Sequence, residues 1–225
     1  MPVDGERFAE ALKWAALRHA AQTRRGSDVP YITHLLAVAS LVGENGGDED
    51  TMIAAALHDA IEDQGGDDAR QEIAALFGPR VGELVEACTD TDETPKPPWR
   101  ARKEAHLQRL ADPRRTSDEA LLVQAADAVH NGRCVLAEVR AEGLAALDKF
   151  GGGRAGTAWR TQALADVLAA RRPRCRLVAE LAGLARELAA AVAGPAASGP
   201  RDVHPDVDVR RAAEMPDETR PFQPP

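Results

Sequence analysis

Several features that would fix a protein's class at once are scarce in this chain. It has only three cysteines, Cys88, Cys134 and Cys175, an odd count without metal-type spacing. That argues against a disulfide framework and leaves them as small apolar fillers in a reducing compartment. No uninterrupted apolar run reaches the roughly 20 residues needed to span a bilayer. The start, MPVDGERFAEALKW, is acidic and then amphipathic, without the basic-then-apolar layout of a signal peptide. The chain is therefore expected to be soluble and cytoplasmic, with no membrane partner. Basic residues are outnumbered, 28 against 36 acidic, for a formal net charge of −8. This balance disfavours nucleic acid as a partner, whereas a small phosphorylated ligand needs only a local cluster of cations. Sustained two-residue alternation with β-branched enrichment is missing too, which points away from sheets.

What is present is helical periodicity, and the expected fold is all-α. With 225 residues the chain can bury one good core plus a tail. Apolar positions recur three and four apart from Asp4, a candidate cap, to about Arg24. Gly26, Ser27, Asp28 and Pro30 break that pattern before a second helix from Tyr31 to about Glu44. Asp48 caps a central helix that runs to Gly65-Gly66. Short helices follow, from Asp67 or Asp68 to Phe77 and from Gly78-Pro79 to about Cys88. Thr89 to Pro98, TDTDETPKPP, is a polar loop with the composition of a lid. Helices are then expected over Trp99 to Ala111, from a Ser117 cap to about Arg140, over Thr157 to Arg171 and over Pro173 to Val192. From Ala193 the composition turns to Pro, Gly, Ser and mixed charge, so residues 1–192 are expected to form the domain and 193–225 a disordered tail.

Chemistry concentrates in the central helix. From Met52 to Ile61 the run is almost wholly apolar, yet His58 and Asp59 interrupt it. Burying a carboxylate beside an imidazole is unfavourable by several kcal/mol unless something pairs with them. A divalent metal does so economically. On a continuous helix, Glu62 and Asp63 lie one turn beyond that pair. His34 sits among apolar residues near the start of the second helix, and Asp127 is the single carboxylate of Leu121–Val129. Taken alone, His34 reads first as a satisfied core histidine, whereas Asp127 needs a partner in space. Together, His34, His58, Asp59 and Asp127 offer two imidazoles and two carboxylates, a set better suited to Mn²⁺, Fe²⁺ or Zn²⁺ than to Mg²⁺ or Ca²⁺.

The order His34, His58-Asp59, Asp127 resembles the H…HD…D motif of the HD-domain metal-dependent phosphohydrolases. More closely, HAAQTRRGSDVPYITH (His19–His34), AALHDAIED, FGPRV and ADAVHN resemble, in order, four motifs of the RelA/SpoT-type alarmone hydrolases. The likeness covers about Ala9 to Leu136, and without a synthetase domain after it the chain looks like a small stand-alone hydrolase. The resemblance implies Mn²⁺ on His34, His58, Asp59 and Asp127, with Glu62 and Asp63 handling the attacking water and its proton. It implies Arg24, Arg25, Asn131 and Lys103 at the nucleotide, and His19 in support. Without it, Arg24 and Arg25 read as a basic helix end complementing the dipole, and Arg102-Lys103 as a solvated face. Trp99 and Trp159 are expected to be plugs rather than site residues. The implied reaction is removal of the 3′-diphosphate from guanosine tetra- or pentaphosphate.

The chain departs from that family's K-x-A-D-R-x-H-N pattern, carrying Gln124 and Ala128 where the lysine and arginine stand. Two expectations therefore remain beside the guanosine alarmone: the same chemistry on an adenosine alarmone, NADPH or another nucleotide, or a catalytically idle nucleotide-binding domain.

Overall fold

The computed structural model describes residues 5–194 except 92 and 94. Among them the fold is all-α, as expected, with one isolated β-bridge between Thr23 and Pro30. The helices are α1 (Gly5–Arg18), α2 (Ile32–Glu44), α3 (Glu49–Leu57), α4 (Ala60–Gln64), α5 (Gly66–Phe77) and α6 (Pro79–Cys88). After the polar loop come α7 (Trp99–Ala111), α8 (Asp118–Glu142), a 3₁₀ turn (Leu144–Lys149), α9 (Gly153–Arg171) and α10 (Arg176–Ala193). No helix among the described residues is long and apolar enough to cross a membrane.

Local chemistry accounts for the helix ends. The Asp48 side chain accepts from the Thr51 amide at 3.0 Å, and Ser117 accepts from Ala120 at 3.2 Å, each satisfying an amide that lacks a helical partner. One apolar cluster unites Trp14, Leu35, Ile53, Leu57, Ile61, Ile73, Phe77, Val81 and Val85, tying α1 and α3 to α5 and α6. A second unites Val38, Val42, Leu110, Leu121, Leu164, Leu168 and Leu181, tying α2 and α8 to α7, α9 and α10. Fully buried alanines, Ala54 to Ala56 on α3 and Ala125-Ala126 on α8, keep the side chains small where these helices pack. The polar groups of the site lie between the two clusters, on α2, α8 and the α3–α4 junction.

Four boundaries differ from expectation. α1 stops at Arg18 rather than near Arg24. Beyond it the backbone pairs with itself, Arg24 N donating to Val29 O at 2.8 Å and Tyr31 N to Gln22 O at 2.9 Å, with Gly26 at φ 77° in the turn. The central helix is broken at His58-Asp59, where Asp59 has φ −96° and ψ −2°. α9 begins at Gly153, four residues before Thr157, because Trp99 of α7 lies over this glycine-rich stretch. A Cβ on Gly152 would fall 2.6 Å from the Trp99 ring, and one on Gly156 3.1 Å from it. Tertiary packing here outweighs the poor helix propensity of glycine. α10 begins at Arg176 rather than Pro173. The Asp4 cap lies outside the described residues, as does the expected tail from Pro195 onward.

Candidate metal centre

Three elements deliver the four candidate ligands. His34 comes from the first turn of α2, His58 and Asp59 from the α3–α4 junction, and Asp127 from the middle of α8. His34 Nε2 lies 3.5 Å from Asp59 Oδ2 and 3.2 Å from Asp127 Oδ1. His58 Nε2 lies 3.0 Å from Asp59 Oδ2 and 3.6 Å from Asp127 Oδ1. Ligand atoms of His34, His58 and Asp59 all fall within 4.8 Å of one another. Side chains as far apart in sequence as His34 and Asp127 therefore face a common point.

Whether this set fits a cation turns on the ring tautomers. His58 Nδ1 is 2.8 Å from the Ala55 carbonyl, which can only accept, so Nδ1 carries the proton. Its Nε2 is then a lone pair, buried and without a hydrogen-bond partner, aimed at two carboxylates. Only a positive charge between them relieves that arrangement. Without a metal a proton serves: burial works to lower the His58 pKa, yet the carboxylates of Asp59 and Asp127 hold it well above 6.5. Burial likewise works to raise Asp59 and Asp127, and the two imidazoles hold both well below 3.8. His34 Nδ1 meets His130 Nδ1 at 2.8 Å. His130 is kept neutral, its pKa lowered to about 4 chiefly by burial, with the Arg24 charge adding to it. Its Nδ1 can thus accept from His34, leaving His34 Nε2 free to face the carboxylates. Two imidazole nitrogens and two carboxylates so arranged fit a divalent ion of the Mn²⁺, Fe²⁺ or Zn²⁺ kind.

A second layer of contacts holds these groups. The Tyr31 hydroxyl donates to Asp59 Oδ2 at 2.6 Å, and its ring stacks on His19, centroids 5.3 Å apart. Burial and then the Asp59 charge raise the Tyr31 pKa, so the hydroxyl keeps its proton. Asn131 Nδ2 donates to Asp127 Oδ1 at 2.6 Å, and Arg24 donates to Asn131 Oδ1 at 2.6 Å. Asp63 accepts from Gln22 at 2.8 Å, and Lys96 donates to Glu62 at 3.2 Å. Burial is the main reason that the Glu62 pKa stands above 4.5, with Lys103 and Lys96 partly opposing it. Except for His34 and the supporting His19, the site residues expected from the sequence line one cavity of about 900 Å³, Arg25 and Lys103 included.

Some expectations change in detail. Arg24 and Arg25 are not a basic helix end, since α1 stops before either. Arg102 and Lys103 are not a solvated face: both donate to Asp90, at 2.6 and 2.7 Å, and Asp90 is buried. Glu62 and Asp63 follow a broken rather than continuous helix, although Asp63 N still donates to Asp59 O at 3.0 Å. Trp99 and Trp159 pack edge to face, centroids 5.9 Å apart, and Arg100 covers Trp159. Sequence reasoning missed four contributors: Tyr31, His130, Asp90 and Arg160. Tyr31 carried a signal, being the chain's single tyrosine, three positions before His34. Asp90 and Arg160 carried none.

Comparison with known proteins agrees with this geometry. Residues 11–149 match the HD domain family. The chain is 37% identical over 123 residues to a probable GTP pyrophosphokinase of Mycobacterium leprae, covering 55% of this chain and 15% of that protein. It is 36% identical over 131 residues to the bifunctional (p)ppGpp synthase/hydrolase SpoT of Escherichia coli K12, covering 57% and 18%. The chain thus spans less than a fifth of the length of these curated relatives. Among solved structures it is similar to a metazoan SpoT ortholog described as hydrolysing ppGpp, with TM-score 0.65 and 24% identity, covering 83% of this chain and 98% of that one. A Listeria monocytogenes protein is also similar, with TM-score 0.60 and 24% identity, covering 69% and 97%. Matched over more than half its length, and carrying the H…HD…D residues in one cluster, the chain belongs to the HD domain family.

Proposed function

We propose that this protein is a cytoplasmic, Mn²⁺-dependent pyrophosphohydrolase that removes the 3′-diphosphate from guanosine tetra- and pentaphosphate. The observation that carries the reading is the lone pair of His58 Nε2 held against Asp59 and Asp127 at the wall of a cavity that also holds Glu62, Asp63 and several cations. The matched part of the Escherichia coli relative belongs to a protein named as a (p)ppGpp hydrolase as well as a synthase, which supports the substrate.

His34, His58, Asp59 and Asp127 would hold the ion, and Tyr31, His130 and Asn131 would fix the ligand orientations. When bound, the metal supplies acidification of water and withdrawal of charge from a phosphoryl oxygen. Glu62 and Asp63 present carboxylate oxygens to the attacking water. One orients it while the other takes its proton; the water oxygen bonds to phosphorus as the bond from the 3′ oxygen breaks, the proton is passed on to the 3′ oxygen, and pyrophosphate departs. Lys96 on Glu62 and Gln22 on Asp63 hold these carboxylates in place. Arg24, Arg25, Asn131 and Lys103 bind the nucleotide, guanidinium groups forking onto phosphate or stacking on the base.

The test is incubation of purified protein and Mn²⁺ with guanosine tetraphosphate, guanosine pentaphosphate, an adenosine alarmone and NADPH. Pyrophosphate from the guanosine alarmones is expected, and release of nothing from any of them overturns the reading. Release from the adenosine alarmone or NADPH alone moves the same chemistry to that substrate. One observation favours this second reading: two of the α8 positions that line the cavity, Gln124 and Ala128, bring no cation. A Glu62→Gln/Asp63→Asn double variant with full activity defeats the roles given to those carboxylates.

A further inference from the structure

Five arginine and lysine side chains line the cavity that holds the candidate metal ligands: Arg24, Arg25, Arg102, Lys103 and Arg160. Four of them have protein partners in the ligand-free chain. Arg24 donates to Asn131, Arg25 to the Lys149 carbonyl, and Arg102 and Lys103 to Asp90. Arg160 differs. It stands on α9, half-buried, and its Nη1 is sealed from solvent without a hydrogen-bond partner among the described residues. Asp90 and Asp127 are the carboxylates whose charge it feels, and neither reaches it. Burial lowers its pKa from 12.5, but a guanidinium keeps its proton in a protein.

Sealing a guanidinium N–H from water without a partner is unfavourable. The neighbouring wall offers Arg160 nothing. Gln124 spends both ends of its amide, facing His106 Nε2 at 3.1 Å and donating to the Cys88 carbonyl at 3.2 Å, and Ala128 has no polar atom. His106 is neutral, its pKa lowered to about 4 by burial and by the Arg160 charge itself. An anion entering the cavity would supply the partner that the sealed Nη1 lacks. A guanidinium presents donors in a planar fork that matches phosphate oxygens.

We infer that Arg160 is a substrate-binding residue, supplied by α9, that grips a phosphate group of the nucleotide lying in the cavity. Arg160 lies beyond residue 149, outside the segment that defines family membership. The inference rests on the proposed nucleotide chemistry for its substrate, but it is separable from it. On this wall the positive charge comes from α9, because α8 presents Gln124 and Ala128.

The experiment compares the full chain with Arg160→Met and Arg160→Lys, using GDP and phosphate-free guanosine as calorimetric probes and guanosine tetraphosphate as the kinetic one. Arg160→Met is expected to weaken GDP roughly tenfold or more while leaving guanosine unchanged, as loss of a charge-assisted contact to phosphate requires. KM for guanosine tetraphosphate rises while kcat stays within about threefold, and Arg160→Lys recovers part of the affinity. Ligand-free Arg160→Met melts no lower than the parent, since a sealed N–H without a partner has gone, whereas a structural arginine would take stability with it. Unchanged GDP binding in Arg160→Met, or an equal loss for guanosine, overturns the inference. If Arg160→Met does not fold, Arg160→Gln and Arg160→Lys decide by the same criteria. A parent that hydrolyses no alarmone but binds GDP through Arg160 removes the hydrolase reading alone. A parent whose hydrolysis and KM ignore Arg160 removes this inference alone, and one that neither binds GDP nor hydrolyses alarmones removes both.

Discussion

Tyr31→Phe isolates one atom of the site. The phenyl ring keeps the stack on His19, 5.3 Å between centroids and 15° from parallel, and the edge contact with His34 at 5.5 Å. What is lost is the hydroxyl that donates to Asp59 Oδ2 at 2.6 Å. A hydrogen bond to a charged acceptor contributes about 1.5–3 kcal/mol. At about 1.4 kcal/mol per tenfold, this corresponds to a loss of roughly ten- to a hundredfold in Mn²⁺ affinity if the bond fixes Asp59 as a ligand. Partners that orient metal ligands carry effects of the same size, about 10–100-fold. In the metal-free chain the same loss lowers the melting temperature by roughly 3–12 °C, at about 2–4 °C per kcal/mol for a chain of this length. Calorimetric Mn²⁺ titration of parent and variant, each with a thermal melt, measures both numbers. An Mn²⁺ affinity within about twofold of the parent, in a variant that melts lower, would mean that Tyr31 supports the fold and not the centre.

Three further outcomes follow from the site and its setting. Because His58 is held protonated well above pH 6.5 in the metal-free chain, ion binding must displace that proton; titration in two buffers of different ionisation enthalpy should show release near neutral pH, and none would contradict the tautomer argument. The same raised pKa makes the metal-free chain's imidazolium stabilisation complete below pH 6.5 and lost as pH rises through the folded value. Glu62, raised above 4.5 chiefly by burial, must be ionised to accept a proton, so activity falls on acidification through a pKa above 4.5. Lys96→Met should move that acid limb to higher pH, and a fixed limb would remove Glu62 from the role. Gly152→Ala places a Cβ 2.6 Å from the Trp99 ring and should cost about 1–3 kcal/mol by overpacking. Gly183→Ala, on α10 with nothing within 4 Å of the new Cβ, should gain about 0.5–1 kcal/mol from helix propensity; thermal melts that rank the two the other way would refute the packing account.

The candidate ligands were legible because each is a charged or imidazole group set into an apolar run, where burial without a partner is unfavourable. His34 and His58 are indeed buried, and Asp127 sits among the buried residues of α8. Helix ends were less legible. Periodicity carried α1 on through Ala20, whereas the chain turned back after Arg18 to pair Thr23 with Pro30. The central helix read as continuous because the break at His58-Asp59 uses residues whose own propensities do not announce one. The glycines at 151–153 read as a pure break, yet they form the seat of Trp99 and the start of α9.

The order of residues along this chain therefore determined its helical class, its apolar faces and the side chains that need a cation. Spacing of three and four reports which residues share a face, but it says nothing of what lies opposite that face. Only the packed structure decided that His34 meets His130 across 96 positions, that Arg102 and Lys103 serve Asp90, and that Arg160 Nη1 is sealed without a partner among the described residues. Such pairings are fixed by how α2, α7, α8 and α9 pack together, and that packing is a property of all the buried surfaces at once.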